Sequence, residues 1–274
     1  MYAIFNIITK LTDAILFPFR RLHPFWGIAF LALLSAFFIL WIYRSLSDQK
    51  AIKRLKKRMM GYFLGIYIFR DDAGRILKTQ FVLLGTILRY LGHSLRPLLF
   101  IIIPIGLLCA QMQLHYGWQA PRPGDELHVT LKLKPGINPL RRDIELKPPP
   151  GVEVLTPPLR IKARDEIDWK VKLLRAGNHR LLFRIGNEVE SITLDASPII
   201  GRRYPEKEQA GLVSVLKYPG QEPLDEAFTA RSLRISYSGA KVNLSGFRLH
   251  WVILYFLLAV IFAFLLKRPL RVDF

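Results

Sequence analysis

Residues 22–113 contain the features from which the fold follows, beginning with the uncharged run PFWGIAFLALLSAFFILWIY at residues 24–43. A strongly basic segment occupies residues 44–96, and a second uncharged run starts at Pro97 and extends at its widest to Arg122. Each run is long enough to cross the ~30 Å hydrocarbon core of a bilayer as a helix. The stretch therefore predicts two membrane spans joined by a loop on one side of the membrane.

A third uncharged run at residues 249–266 predicts a third span. Aromatic residues lie at the edges of all three runs, where side chains with an apolar body and a polar tip prefer the headgroup level. The chain is 51% hydrophobic and carries a net charge of +19. Such a charge alone indicates a nucleic-acid binder, but here the basic residues flank apolar spans, so we expect no DNA binding.

The orientation of the spans follows from the basic segment. Residues 44–96 contain 12 basic and 3 acidic residues. Positive charge close to a span resists translocation, so this loop is expected in the cytoplasm, with the basic C-terminal tail. The N-terminus and residues 118–247 would then lie outside the cytoplasmic (inner) membrane.

Two helical segments are expected beside the spans. Residues 1–21 place Ile4, Ile8, Leu11, Ile15 and Phe19 on one face, which predicts an amphipathic helix lying in the membrane interface. Residues 44–96 predict a coiled-coil-like helical hairpin with its turn at residues 71–74, in which the two helices bury their apolar stripes against each other.

The order of residues in this core resembles the YidC/Oxa/Alb insertase superfamily, closest to its archaeal YidC-like branch, relatives of a subunit of the ER membrane protein complex. The resemblance rests on LHPFWGI at residues 22–28, SDQK at 47–50, RDD at 70–72, HSLRPLL at 93–99, and LHW at 249–251 with KRP at 267–269. It implies a three-helix core whose groove opens to the cytoplasm and receives hydrophobic segments of nascent membrane proteins.

The resemblance, together with charge and position in the chain, indicates candidate site residues. Those contacting substrate or anionic headgroups in the hairpin are Arg44, Lys50, Lys53, Arg54, Lys56, Lys57 and Arg58. The same basic residues offer a contact to ribosomal RNA. Polar candidates in the groove or at span ends are Ser35, Arg96, Gln111, Gln113 and His250. Bacterial-type insertases commonly carry an arginine within the groove, whereas the interior of the first run has only Ser35.

Residues 118–247 change to a period of two, as in Leu127, Val129, Leu131 and Leu133, which indicates half-buried strands. We expect about seven strands, at residues 127–133, 152–155, 169–174, 180–185, 189–194, 212–216 and 233–237. This number favours an all-β, Ig-like sandwich, with a small open barrel as the alternative. The predicted organisation is an interfacial helix (1–21), a core with two spans (22–117), a β domain (118–247), and a third span with its tail (248–274).

No catalytic or metal-binding pattern is found in the sequence. The six histidines are scattered, the single cysteine lies in an apolar run, and phosphate-binding and nucleophile motifs are missing. We therefore expect no enzyme, no cofactor and no metal. The first functional hypothesis is a YidC-like factor in membrane-protein insertion or assembly. The alternative is a membrane-anchored scaffold whose β domain binds an envelope protein, without insertase activity.

Overall fold

The computed structural model describes residues 2–46, 49–68, 73–141, 143–244 and 246–270. The chain divides into two compact units. The first, which we call the outer unit, comprises Met1–Gly27 and Leu107–Ile253. The second, the helical unit, comprises Ile28–Gly106 and Leu254–Phe274.

The helices of the described residues fit the broad plan predicted from the sequence, except for the short helix at Leu212–Lys217, where a strand was predicted. They are α1 (Tyr2–Leu16), α2 (Pro24–Leu46), α3 (Gln49–Ile68), α4 (Ala73–Tyr116), α5 (Leu212–Lys217) and α6 (Trp251–Lys267). Two segments are long and apolar enough to cross a membrane, namely Pro24–Leu46 and Pro97–Tyr116. Helix α6 is apolar but shorter, with 17 residues.

Helix α4 is continuous over 44 residues and joins the second helix of the predicted hairpin to the second predicted span. It contains Pro97 and Pro104. Proline removes a backbone donor, yet apolar helices tolerate it where neighbouring groups compensate. The predicted hairpin turn at residues 71–74 lies partly outside the described residues, which resume at Ala73.

Helix α2 exposes large apolar side chains on one side and buries a mixed set on the other. Ala32, Ser35 and Ala36 are buried together with Leu31 and Leu40, whereas Phe30, Phe37 and Trp41 are exposed. Small residues at a helix interface let backbones approach closely. A helix at the surface of a water-soluble protein carries charged and polar residues on its exposed side, and α2 does not.

The predicted burial within the hairpin is not observed for most of the expected residues. Among the residues of α4 predicted to pack against α3, the exposed ones are Leu77, Phe81, Leu84, Leu88 and Leu91. In α3, Ile52 is buried and Leu55 is half-buried, whereas Phe63 and Leu64 are exposed. The two helices therefore leave much of their apolar surface uncovered by the protein.

The outer unit contains antiparallel sheets. Their strands are β1 (Glu126–Leu133), β2 (Ile144–Lys147), β3 (Val152–Val154), β4 (Leu159–Ile161), β5 (Glu166–Leu173), β6 (Asn178–Ile185), β7 (Glu188–Asp195), β8 (Glu206–Glu208), β9 (Ala230–Ile235), β10 (Val242–Leu244) and β11 (Phe247–Leu249). One sheet has the order β3-β5-β1-β9-β8, with β4 also on β5, and a second has the order β2-β6-β7. A two-stranded sheet pairs β10 with β11.

Both larger sheets contribute to one hydrophobic core. It includes Val129 of β1, Trp169 of β5, Phe183 of β6 and Leu194 of β7. The rings of Trp169 and Phe183 meet edge to face with centroids 5.7 Å apart. The alternation along β1 is realised, because Leu127, Val129, Leu131 and Leu133 are all buried. The sequence period of two thus placed the inward face of this strand correctly.

The prediction of a strand at residues 212–216 is wrong, because this segment is helix α5. Its apolar residues at 212, 213, 215 and 216 do not alternate, and only Val215 is buried in the helix. The hydroxyl of Ser214 donates to the carbonyl of Gly211 at 2.9 Å, which closes the turn locally. Strands β2, β4, β8, β10 and β11 were not predicted; all have three or four residues, too few for a clear period of two.

Candidate functional site

The basic residues of the predicted hairpin lie on one exposed stretch of α3. Lys53, Arg54, Lys56, Lys57 and Arg58 are all exposed. Every third or fourth residue from Ile52, through Leu55, Met59 and Tyr62, is buried or half-buried, so the positive charges occupy the remaining sides of the helix. We call these five residues the basic stretch. The side chains of Lys50 and Arg96 lie outside the part of the structure that is described.

Arg44 is separate from the basic stretch. It lies in the last turn of α2, and its Nη1 donates a hydrogen bond to the carbonyl of Leu270 at 3.2 Å. Both residues belong to the helical unit. Arg44 therefore connects the end of α2 to the segment after α6, a structural contact that the sequence-based assignment to a substrate-binding hairpin did not anticipate.

Ser35, the polar candidate within the first span, takes part in a buried contact between two helices. Its hydroxyl donates to the carbonyl of Leu31 at 2.7 Å and accepts a hydrogen bond from the hydroxyl of Tyr255 at 2.9 Å. Ser35 is 3% exposed and Tyr255 is 1% exposed. These hydrogen bonds use the donor of the Ser35 hydroxyl and one of its two acceptor lone pairs, so it serves α2–α6 packing in this structure.

The polar candidates Gln111, Gln113 and His250 belong to the outer unit. Gln111 is fully buried, and its Nε2 donates to the hydroxyl of Thr9 in α1 at 2.8 Å. Gln113 accepts a hydrogen bond from the indole nitrogen of Trp251 at 2.9 Å. His250 is exposed, and its Nδ1 accepts from the backbone nitrogen of Val252 at 3.3 Å, at the start of α6.

Next to Gln111 lies a charged group that we call the outer cluster, formed by Asp13, His115 and Arg202. The His115 side chain is fully buried, and its Nε2 is 3.1 Å from Oδ1 of Asp13. The guanidinium of Arg202 donates to Oδ2 of the same carboxylate. Helix α1 is thereby held to the end of α4 and to the segment preceding β8.

Both ring nitrogens of His115 have a partner. Its Nδ1 is 2.9 Å from the carbonyl oxygen of Gln111, one turn earlier in α4. Its Nε2 faces the Asp13 carboxylate. Asp13 therefore contacts both His115 and Arg202.

The surroundings of Asp13 keep it ionised. Partial burial alone would raise the pKa of its carboxyl, but the hydrogen bond from His115 and the charge of Arg202 outweigh burial and lower the pKa below 3.8. Arg20 adds a more distant contact, with 3.9 Å between Nη2 and Oδ1. The contacts of the outer cluster join α1, the end of α4 and the segment before β8, so it is a structural connection.

Sequence reasoning did not identify Asp13, His115 or Arg202 as functional residues. The signals available were weak: Thr9, Thr12 and Asp13 lie on one side of α1, and Gln111 and His115 are four residues apart and so share a face of α4. Which side of α1 is buried depends on partners 102 and 189 residues away in the chain. No local pattern encodes that pairing.

Comparison with known proteins gives no assignment, since no protein-family model and no curated protein matches this chain. The resemblance to YidC-like insertases therefore rests on the sequence features quoted above. Among the described residues, no group of three or more His, Cys, Asp or Glu side chains is arranged to hold a metal ion.

Proposed function

We propose that this protein is a multi-pass protein of the cytoplasmic membrane, with α6 as a third span beside the two long apolar segments. The support is the distribution of side chains in α2 and α4. Both bury polar residues, Ser35 and Gln111 respectively, and expose large apolar ones such as Phe37 and Ile103. Exposed apolar surface on this scale is unfavourable in water and neutral in lipid.

The proposed orientation has the basic stretch in the cytoplasm and the β domain outside. Two contacts between α2 and the α6 region support it. Ser35 in the middle of α2 contacts Tyr255 near the start of α6, and Arg44 near the end of α2 contacts Leu270, just after the end of α6. The order of these contacts makes α2 and α6 parallel. Parallel first and third spans require the second to run back, which agrees with the positive charge at residues 44–96 and at Lys267 and Arg268.

We propose further that the protein assists insertion or assembly of membrane proteins, with α3 and the first half of α4 as the receiving surface. The observation that carries this proposal is the uncovered apolar surface that follows the basic stretch along α3, with Met60 and Phe63, together with the exposed Phe81 and Leu88 of α4. An apolar segment can pack on such a surface before it enters the bilayer. The neighbouring cations attract anionic headgroups and hold the surface at the membrane.

Insertion into vesicles tests this proposal. The chain is reconstituted in liposomes, and protease protection measures the insertion of a single-span substrate with a short extracytoplasmic tail. Changing the five residues of the basic stretch to Gln should reduce insertion several-fold. The matched control changes five exposed basic residues of the β domain to Gln: Lys147, Lys162, Arg164, Arg175 and Arg180.

The two outcomes are distinct. Equal insertion with and without the protein, or equal loss in both variants, would contradict the insertase proposal. A loss confined to the basic-stretch variant, with unchanged incorporation of the protein into liposomes, would support it.

The scaffold function is the second candidate, and the outer cluster favours it. By tying α1 and the end of α4 to the β domain, this cluster holds the domain in a fixed position, as presentation of a binding surface to an envelope protein requires. Photo-crosslinkers placed at exposed Leu159 and Val189 would then recover one defined partner. Recovery of many unrelated nascent chains from crosslinkers on α3, with none from the β domain, would contradict it.

A further inference from the structure

Helix α5 exposes three large apolar side chains within six residues. Leu212, Val213 and Leu216 are 64%, 62% and 52% exposed, whereas Val215 is buried in the domain. Three large aliphatic side chains on one six-residue helix form a contiguous apolar surface, and such surfaces mark contacts with lipid or protein.

The segment that follows α5 packs directly against α1. The hydroxyl of Tyr204 donates to the carbonyl of Pro219 at 3.1 Å. Gly220 has a positive φ, and a side chain there would meet Thr9 of α1 and the guanidinium of Arg202. The α5 segment is thus joined to the one helix of the outer unit that is proposed to lie in the membrane interface.

Helix α1 turns its apolar side away from this contact. Thr9 is buried, whereas Ile7 and Leu11, two residues before and after it and so on the opposite side of the helix, are exposed. The apolar residues of α1 and α5 together extend the surface available to a bilayer beyond α1 alone.

A cavity of about 610 Å³ beside α5 supplies charge that complements lipid headgroups. The charged residues lining it are four basic and two acidic: Lys132, Lys217, Arg231, Arg234, Glu206 and Glu208. The two carboxylates pair with Arg234 at 2.9 Å and Lys217 at 3.6 Å. Within the described residues no carboxylate pairs with Arg231. Lys132 pairs with Glu166 at 3.1 Å, so the surplus positive charge next to the apolar side chains is that of Arg231.

We propose that α5 is a second interfacial contact of the outer unit, which inserts Leu212, Val213 and Leu216 at the level of the acyl boundary while Lys217 and Arg231 contact lipid phosphate groups. Apolar side chains flanked by cations are the combination by which peripheral helices bind anionic bilayers. This inference rests on the proposed membrane location, and it predicts that the β domain lies against the outer leaflet.

Depth-dependent quenching tests the contact in the full chain. In a Cys109→Ser background, single cysteines at Val213, Ile103 and Leu159 are labelled with an environment-sensitive fluorophore. The protein is then reconstituted in phosphatidylglycerol–phosphatidylcholine vesicles containing doxyl-labelled lipid. Ile103 is an exposed residue of a candidate span, and Leu159 is an exposed residue of β4 that matches Val213 in exposure.

The expected result is loss of fluorescence at positions 213 and 103 but not at 159. If 103 is quenched and 213 behaves like 159, the α5 contact is refuted while the membrane location stands. If 103 is not quenched, the membrane location fails and the inference fails with it.

The charge requirement and a competing occupant are tested with the same probe. The double variant Lys217→Gln, Arg231→Gln should lower quenching at 213 in vesicles containing phosphatidylglycerol, whereas Lys162→Gln, Arg164→Gln should not. Emission at 213 that shifts to the blue with rising protein-to-lipid ratio, without doxyl quenching, would show a second copy of the chain on α5 and would overturn the proposal.

Discussion

Helices α1 and α3 are both amphipathic, yet they turn opposite sides toward the protein. Helix α1 buries Thr9 and Thr12 and exposes Ile7 and Leu11, whereas α3 buries Ile52 and exposes the basic stretch. In a water-soluble protein, both helices would be expected to pack their apolar side against the protein and to turn their polar side to water. The comparison teaches that the sequence pattern marks two faces, and that the partners available elsewhere in the chain decide which face is buried.

The largest effect is expected from removing the charge that holds α1. Asp13→Asn leaves His115 and Arg202 without their anion, which should lower the free energy of unfolding by about 1–3 kcal/mol. Denaturation in detergent micelles measures this change, and hydrogen exchange of residues 2–16 shows whether α1 detaches. Asp143→Asn, at an exposed aspartate, is the control and should stay within about 0.5 kcal/mol of the parent. Unchanged exchange in α1 would show that the outer cluster does not hold it.

A second test disturbs the close contact between Gly27, in the first turn of α2, and Tyr116, at the end of α4. A methyl group at Gly27 would overlap the hydroxyl of Tyr116, so Gly27→Ala should cost about 1–3 kcal/mol. Tyr116→Phe removes that hydroxyl and should restore most of the loss in the double variant. In contrast, Gly92→Ala meets open space within α4 and should be neutral or stabilise by up to about 1 kcal/mol. Denaturation of the four proteins in one detergent compares them directly.

The pH dependence of the α1 contact follows from Asp13. Its pKa is lowered on folding, so its contribution to stability is complete above the ordinary value of 3.8 and is lost as the pH falls through the folded-state pKa. Below about pH 3.8 the protection of α1 from hydrogen exchange in the parent should therefore fall to that of the Asp13→Asn variant, which lacks this transition, after both are corrected for the intrinsic pH dependence of exchange. A parent and a variant with parallel pH profiles would contradict the proposed linkage.

The smallest effect is expected on the exposed side of the hairpin. Leu84→Ser alters a side chain that the protein does not bury, so the free energy of unfolding should change by less than about 0.5 kcal/mol. Leu83→Ser, at the neighbouring buried position, should cost about 2–3 kcal/mol. If both variants lose equal stability, the two sides of α4 do not differ as described.

The fold was predictable where a pattern was long and regular. The apolar runs at residues 24–43 and 97–113 and the alternation in β1 specify their elements without reference to the rest of the chain. Short strands such as β8 and β4 offer only three residues, and their pairing with β9 and β5 depends on the neighbouring strands. The strand prediction at residues 212–216 failed because a short run of apolar residues is compatible with a strand or a helix equally.

The candidate site was less predictable than the fold. The exposure of the basic stretch was expected from charge alone, whereas the use of Ser35 required knowledge of Tyr255, which is 220 residues away. The same holds for the outer cluster, in which α1 pairs with residues from α4 and from the segment before β8. Polar residues in apolar helices mark contacts, but the sequence does not say whether the partner is another helix of the chain or a substrate.

The separation between Ser35 and Tyr255 also sets an order of events during synthesis. At about 5–20 residues per second, the ribosome needs roughly ten to forty seconds to make the intervening chain. During that interval α2 has no α6 to pack against, and the hydroxyl of Ser35 lacks its later donor. The helical unit is therefore completed only after the whole β domain has been made, so truncated chains that end within that domain would display an open, unfinished α2 surface.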